Sequence, residues 1–272
     1  MRRRWRGLLV AWSLAALARG AAAQTYPIAT EPPRTTDAGA LRALAIQREV
    51  HERFARGLDA EGRSAWADAA TEFERIIALN PAEPMGSTAR YDLALAEAHQ
   101  GHDERAVALL QAALRLDPGF AAAAANLTGI ALERGDLAVA RSAADRFVAI
   151  APASARARYA RGLIALRSGD LATARADFRI LLDANPAYAI AHYDLALVEI
   201  DEANFSAAES ELETALSLAP SYARARFALG TLLLRDGRRA AARSAFDRCA
   251  RDAEDPNLRD LAVSLRDRLA GN

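Results

Sequence analysis

Residues 155–186 read ARARYARGLIALRSGDLATARADFRILLDANP. Two segments with apolar residues at helical spacing flank Ser168-Gly169-Asp170, a turn, and Asn185-Pro186 ends the second segment, because proline cannot continue a helix. The stretch is one helical hairpin. The same grammar returns 34 residues later, with Tyr193, Leu195 and Ala196, then Asn204-Phe205, then Ala208, Leu212 and Ala215, and finally Pro220. A fixed period of this length marks an array of repeats.

The prolines give the register. Pro118, Pro152, Pro186 and Pro220 are each 34 residues apart, Pro81 lies 37 before Pro118, and Glu254 occupies the proline slot of a sixth repeat. One column holds alanine throughout: Ala69, Ala106, Ala140, Ala174, Ala208 and Ala242. Alanine there lets two helices approach closely, and a larger side chain would push them apart. Other columns trade volume. Ala144 is small where Phe73, Phe178 and Phe246 are large, while Phe147 is large where Ala113, Ala215 and Cys249 are small. Close packing of a shared layer requires such an exchange.

This pattern resembles the tetratricopeptide repeat family over about residues 50–254. The matching residues are the small Gly57, Ala94, Thr128, Gly162, Ala196 and Gly230 of the first helices, the alanine column, the turns Gly135-Asp136 and Gly169-Asp170, and the terminal prolines. The sequence departs from the family at Glu254, at Arg56 and Arg161 where leucine is usual, and in lacking the large first-helix tryptophan. The resemblance implies an all-α, right-handed solenoid of about six helix-turn-helix repeats. The expected repeats are residues 50–83, 87–120, 121–154, 155–188, 189–222 and 223–256, followed by a capping helix over 257–270.

The chain opens MRRRWRGLLVAWSLAALARGAAAQ: a basic start, an apolar run from Gly7 to Ala18, and Ala21-Ala22-Ala23 before Gln24. This reads as a secretory signal peptide over residues 1–23, since a membrane span needs roughly twenty apolar residues. Export to the periplasm or beyond the cell is expected, with no stable membrane insertion after cleavage. Residues 24–36 carry Pro27, Pro32 and Pro33 without periodicity and suit a flexible linker. Helix should begin near Asp37, an N-cap residue type, and run through Leu41, Leu44, Ile46, Val50 and Phe54. Between Pro81 and Ser87 the extra residues of PAEPMGS should lengthen a surface turn. At the far end, Leu258, Leu261, Leu265 and Leu269 are expected to share the buried face of the cap.

Chemistry is sparse. There is no lysine, which removes Schiff-base and pyridoxal chemistry and the lysine-dependent phosphate loop. Removing residues 1–23 takes five of the 35 basic residues and none of the 35 acids. The mature chain is therefore mildly acidic, which argues against nucleic acid as a partner. The lone Cys249 sits in an apolar column, fitting a small buried side chain. His99, His102 and Asp103 straddle the Gly101 turn without a matched second pair of ligands, so a solvated turn is expected there rather than a metal. No cofactor and no catalytic constellation is expected.

What remains is the surface of the stacked first helices, which in this family lines the concave side. One column is Phe54, Tyr91, Ala125, Tyr159, Tyr193 and Phe227, and four and seven residues beyond its later members come Leu163 and Leu197, then Leu166 and Ile200. Arg156, Arg167, Arg224 and Arg235 flank them. The expected peptide- or protein-binding groove therefore comprises Tyr91, Tyr159, Leu163, Leu166, Tyr193, Leu197, Ile200 and Phe227 with those four arginines. The competing reading is that the aromatics only pack between neighbouring first helices; a tyrosine can do both. The family's two-carboxylate clamp is not matched, Asn126 alone resembling it. The implied function is an exported, non-catalytic protein–protein interaction module, and the alternative is an assembly factor or scaffold subunit of a cell-envelope complex.

Overall fold

A computed structural model describes residues 37–270, so the expected signal peptide and most of what precedes the first helix lie outside the described residues. Thirteen helices and no strand are present among the described residues. They are α1 (Ala38–Gly62), α2 (Trp66–Ala78), α3 (Met85–His99), α4 (Asp103–Leu116), α5 (Ala121–Arg134), α6 (Leu137–Ile150) and α7 (Ala155–Arg167). After these come α8 (Leu171–Ala184), α9 (Ala189–Asp201), α10 (Phe205–Leu218), α11 (Ala223–Arg235), α12 (Arg239–Asp252) and α13 (Pro256–Ala270). The chain divides into a unit ending at Pro152 and a unit beginning at Ala153. The first holds the hairpins α1/α2, α3/α4 and α5/α6; the second holds α7/α8, α9/α10, α11/α12 and α13.

Local chemistry sets the helix ends. Asp37, Asp136, Ser154 and Asp170 cap α1, α6, α7 and α8, each accepting a backbone N–H of the first turn. Gly169 turns the chain between α7 and α8 at φ +76°, a conformation that costs glycine nothing and other residues strain. The extra residues after Pro81 are not all turn. Met85, Gly86 and Ser87 form the first turn of α3, where Ser87 is 1% exposed and its N–H donates to the Glu83 carboxylate over 3.1 Å. That carboxylate meets the unsatisfied N–H groups of the helix start, which is why the helix reaches further back than the repeat register suggests.

Packing within each hairpin depends on one close approach. The six alanines of the column are all fully buried. Sixteen residues before three of the second-helix phenylalanines stands a glycine: Gly57 before Phe73, Gly162 before Phe178, Gly230 before Phe246. A Cβ added at these glycines would lie 2.6, 2.8 and 2.8 Å from Cε1 of the phenylalanine, so the ring occupies the space a side chain would need. The other repeats hold larger residues in the first slot and smaller ones in the second: Ala94 with Leu110, Thr128 with Ala144, Ala196 with Leu212. Leu110, Ala144 and Leu212 are fully buried. The volume exchange seen in the sequence is thus balanced chiefly across the two helices of a hairpin, with Phe147 a further, 7% exposed, contributor.

The arginines at family-leucine positions are explained by ion pairs. Asp177, fully buried, accepts from Arg161 Nε at 2.7 Å and Nη2 at 2.8 Å and from Arg158 Nη1 at 3.1 Å. In the first hairpin Glu72 accepts from Arg53 and Arg56, both at 3.2 Å. Two arginines and one acid therefore take the place of an apolar contact between first and second helix, with every carboxylate oxygen of Asp177 engaged.

Helix α13 packs on the last hairpin through Leu258, Leu265 and Leu269, around a fully buried Ala262. Leu261, expected on that face, is instead 50% exposed. The contact stripe runs 258, 262, 265, 269, and the small Ala262 lets the helix approach Phe246 and Cys249 closely.

Two stability outcomes follow from this packing. Gly162→Ala should cost about 1–3 kcal/mol by overpacking against Phe178. Adding Phe178→Leu, which copies the Ala94/Leu110 pair, should recover part of that loss, whereas Gly129→Ala, with nothing within 4 Å, should gain about 0.5–1 kcal/mol. Urea denaturation of the three variants checks the order. Deleting residues 256–272 uncovers the cluster around Phe246, at about 1.5–3 kcal/mol for each large side chain exposed. Hydrogen exchange should then show α11 and α12 losing protection before α7 and α8; equal protection would contradict the capping role.

Candidate protein-binding groove

In the second unit the aromatic column is held by ring contacts on two sides. Tyr159 packs on Phe178 with centroids 6.2 Å apart, and Phe227 packs on Phe246 at 5.5 Å. A second aromatic column stands at the N-caps of the following first helices: Tyr188 lies 5.8 Å from Tyr159 and Tyr222 lies 5.1 Å from Tyr193. These tilted pairs fix the rings between hairpins, so the aromatics serve packing. Tyr193 and Phe227 also line an open pocket, so for them the two readings of the sequence hold together.

Beneath the tyrosines lies Asp194, 5% exposed. It accepts the Tyr159 hydroxyl, while its Oδ2 has no hydrogen-bond partner. Burial pushes its carboxyl up to about 6, opposed by the Tyr159 hydrogen bond and by the positive charges of Arg167 and Arg224. Burial together with the Asp194 charge also pushes the hydroxyls of Tyr159, Tyr188, Tyr193 and Tyr222 upward, which keeps them neutral donors.

The pocket has a volume of about 370 Å³ and is walled by α9, α10, α11 and α13. Tyr193, Leu197, Ile200, Arg224, Phe227 and Arg235 line it, as expected of groove residues, joined by Phe205, Ala228, Thr231, Leu232 and Leu258. Tyr159, Leu163, Leu166, Arg156 and Arg167 belong to the same unit but not to this wall; Leu166 and Tyr159 pack on the core of the α7/α8 hairpin. Tyr91 needs correction as a groove residue. It lies in the first unit, is 5% exposed, packs on Phe120 at 4.9 Å and accepts from Asn126 Nδ2 at 3.0 Å. The ring is buried because Phe120, the N-cap of α5, closes over it.

Phe205 and Leu258 were missed as pocket residues because each had been absorbed by another role, Phe205 by the turn after α9 and Leu258 by the cap. The N-cap aromatics do form a column legible in the sequence: Phe120, Tyr188 and Tyr222 share one 34-residue register with Ser154. Asp194 has the same kind of signal, since Asp92, Asn126 and Asp194 stand in one column.

In the first unit the corresponding columns hold two carboxyls, Glu61 and Asp92. Burial pushes Glu61 up to about 7, and burial plus the Glu61 charge raises Asp92 well above the usual carboxylate range. The histidines of the Gly101 turn are otherwise engaged: His99 stacks on Trp66 at 3.8 Å, and His102 Nδ1 lies 2.7 Å from a Glu97 oxygen. Cys249 is buried, with Sγ 3.3 Å from the Ala223 carbonyl oxygen, and burial raises its thiol to about 11. Among the described residues no helix is long and apolar enough to cross a membrane, and no group of three or more His, Cys, Asp or Glu side chains could hold a metal.

The elevated Asp194 carboxyl makes stability depend on pH. A folded-state value of about 6 against an ordinary 3.8 means the folded chain holds this proton more tightly than the unfolded chain does. The contribution is therefore full below about pH 4, falls as pH rises toward 6 and is lost above it, a span of about 3 kcal/mol at most. Asp194→Asn keeps an acceptor for Tyr159 and removes the titration, so it should be more stable than the parent at pH 7 and lose that advantage by pH 4. Urea denaturation of both proteins at pH 4, 5.5 and 7 reads the difference, which cancels the parallel titration of Glu61 and Asp92.

A family model described as tetratricopeptide repeat matches residues 54–121, 130–189, 159–202 and 193–257. No curated protein matches the sequence. Among solved structures, a tetratricopeptide repeat protein from Parabacteroides merdae is 18% identical with a TM-score of 0.68, covering 82% of this chain and 86% of its own. YrrB, described as a TPR protein with an unusual peptide-binding site, is 17% identical at a TM-score of 0.58, covering 72% and 100%. MamA from Desulfovibrio magneticus is 19% identical at 0.57, covering 62% and 97%. At these identities the likeness to solved structures is one of fold. The family matches run through both units and cover well over half of the sequence: the chain belongs to the tetratricopeptide repeat family, whose fold serves as a protein-interaction module.

Proposed function

We propose that this protein is an exported, non-catalytic binding module whose second unit takes a peptide, or an exposed segment of a protein, against the first-helix face of α7, α9 and α11. The observation that carries the reading is the 370 Å³ pocket, walled by apolar side chains with Arg224 and Arg235 among its lining. Concave apolar sites with a few placed polar groups are where ligands bind, and aromatic anchors there dominate binding energy. The peptide-binding site described for YrrB, a protein of similar fold, supports the same use of this fold. Export rests on the basic start and apolar run of residues 1–23.

Thr231 offers a test that spares the core, since it is an exposed residue of the pocket wall. Thr231→Trp should fill the pocket while leaving the melting temperature within a few degrees of the parent. In-cell crosslinking followed by mass spectrometry should then show the partner captured by the parent falling by about tenfold or more, the size expected for loss of a hot-spot contact. Unchanged capture by a stable variant would move the interaction to another face.

A further inference from the structure

We propose that the pocket of the second unit selects an acidic peptide segment, one in which a bulky apolar side chain enters between α9 and α11 and an adjacent side-chain carboxylate is held by Arg235. This rests on the reading of that face as a binding surface and specifies the chemistry of what it binds.

The argument begins with Arg235. Its guanidinium carbon lies over the Phe205 ring, 3.1 Å from the ring centre, so the cation rests on an aromatic face. A cation–π contact engages the face of a guanidinium and does not consume its N–H donors. Among the described residues the carboxylate paired with it is Asp236, 3.5 Å away, and the two side chains are 49% and 41% exposed. An exposed pair at that distance competes weakly for the donors. The ring therefore holds a planar, bidentate donor set in place before any ligand arrives, at the mouth of an apolar pocket.

The remaining charges favour the same occupant. Both charged residues that line the pocket, Arg224 and Arg235, are positive, and no acid lines it. The nearby carboxylate, Asp194, is 5% exposed and is held by the Tyr159 hydroxyl, so its charge is withdrawn beneath the surface while the arginines remain at it. A basic segment would bring like charges to this wall. A volume of about 370 Å³ is at the small end for ligand sites and suits one large side chain with its neighbouring backbone.

The test uses the full protein and three fluorescein-labelled synthetic peptides with the sequence Gly-Ser-Leu-Trp-X-X-Ser-Gly, where X is Glu, Gln or Lys, read by anisotropy at low and raised salt. The Glu peptide should bind about tenfold tighter than the Gln peptide and the Lys peptide weakest, the difference shrinking with salt, as charge-assisted hydrogen bonds at a partly exposed site imply. Arg235→Gln should remove most of the preference for Glu over Gln; because Arg235 is half exposed, this variant keeps the fold. Thr231→Trp should weaken all three. Equal binding of the Glu and Gln peptides, or a preference that survives Arg235→Gln, overturns the inference; if Thr231→Trp still weakens binding, the pocket remains a binding site of different preference. No binding by any of the peptides also overturns it, and the crosslinking comparison with Thr231→Trp then decides separately whether the surface binds anything. Self-association that Thr231→Trp abolishes would replace the peptide with a second copy of the chain.

Discussion

The distance between the two helices of each hairpin is the constraint from which the rest of the molecule follows. At Gly57, Gly162 and Gly230 a phenylalanine ring from the second helix fills the volume a side chain would take, and the alanine column beside it is fully buried. Where the first helix carries Ala94, Thr128 or Ala196 instead, the second carries Leu110, Ala144 or Leu212. The summed volume at this contact is regulated more tightly than either residue, as interiors packed at crystal density require. A constant separation then lets a fixed period carry first-helix side chains to corresponding places in successive hairpins, and that is the precondition for any surface shared between them.

Charge performs part of the work usually given to apolar contacts. Asp177, gripped by Arg158 and Arg161, and Glu72, gripped by Arg53 and Arg56, join first and second helices in two hairpins; in a third, His192 Nδ1 lies 2.6 Å from Glu211. A buried pair of this kind gains little net energy over a well-packed apolar contact, but losing one partner leaves an uncompensated charge. These joints are thus intolerant of change at single positions while adding little to total stability. They also discriminate register, because an arginine pair slid by one residue meets no acid.

The fold was legible because its signal repeats. Prolines, turn glycines and the alanine column each recur at the same interval, so independent residues agree on one architecture. The pocket was only partly legible. Leu197, Ile200 and Phe227 lie on the helix face of the aromatic column and Arg235 flanks it, and the structure brings the four to one pocket. Tyr91 shares the same column and is buried, since whether a column residue reaches solvent depends on the residue at the next N-cap, Phe120 in its case. Phe205 and Leu258 enter the pocket from other helices, and no single helix periodicity can report a contact made between four elements. Asp194 is a related case. Its column was readable, but its depth beneath four tyrosines depends on tertiary packing.

Leu258 gives the last helix a double place in the molecule, covering the core of the final hairpin and forming part of the pocket wall. A chain that has not yet docked α13 lacks one side of the site, however well its earlier hairpins have formed. The pocket therefore takes its full shape only when α13 packs on the α11/α12 hairpin, so one contact sets both the core of that hairpin and a wall of the pocket.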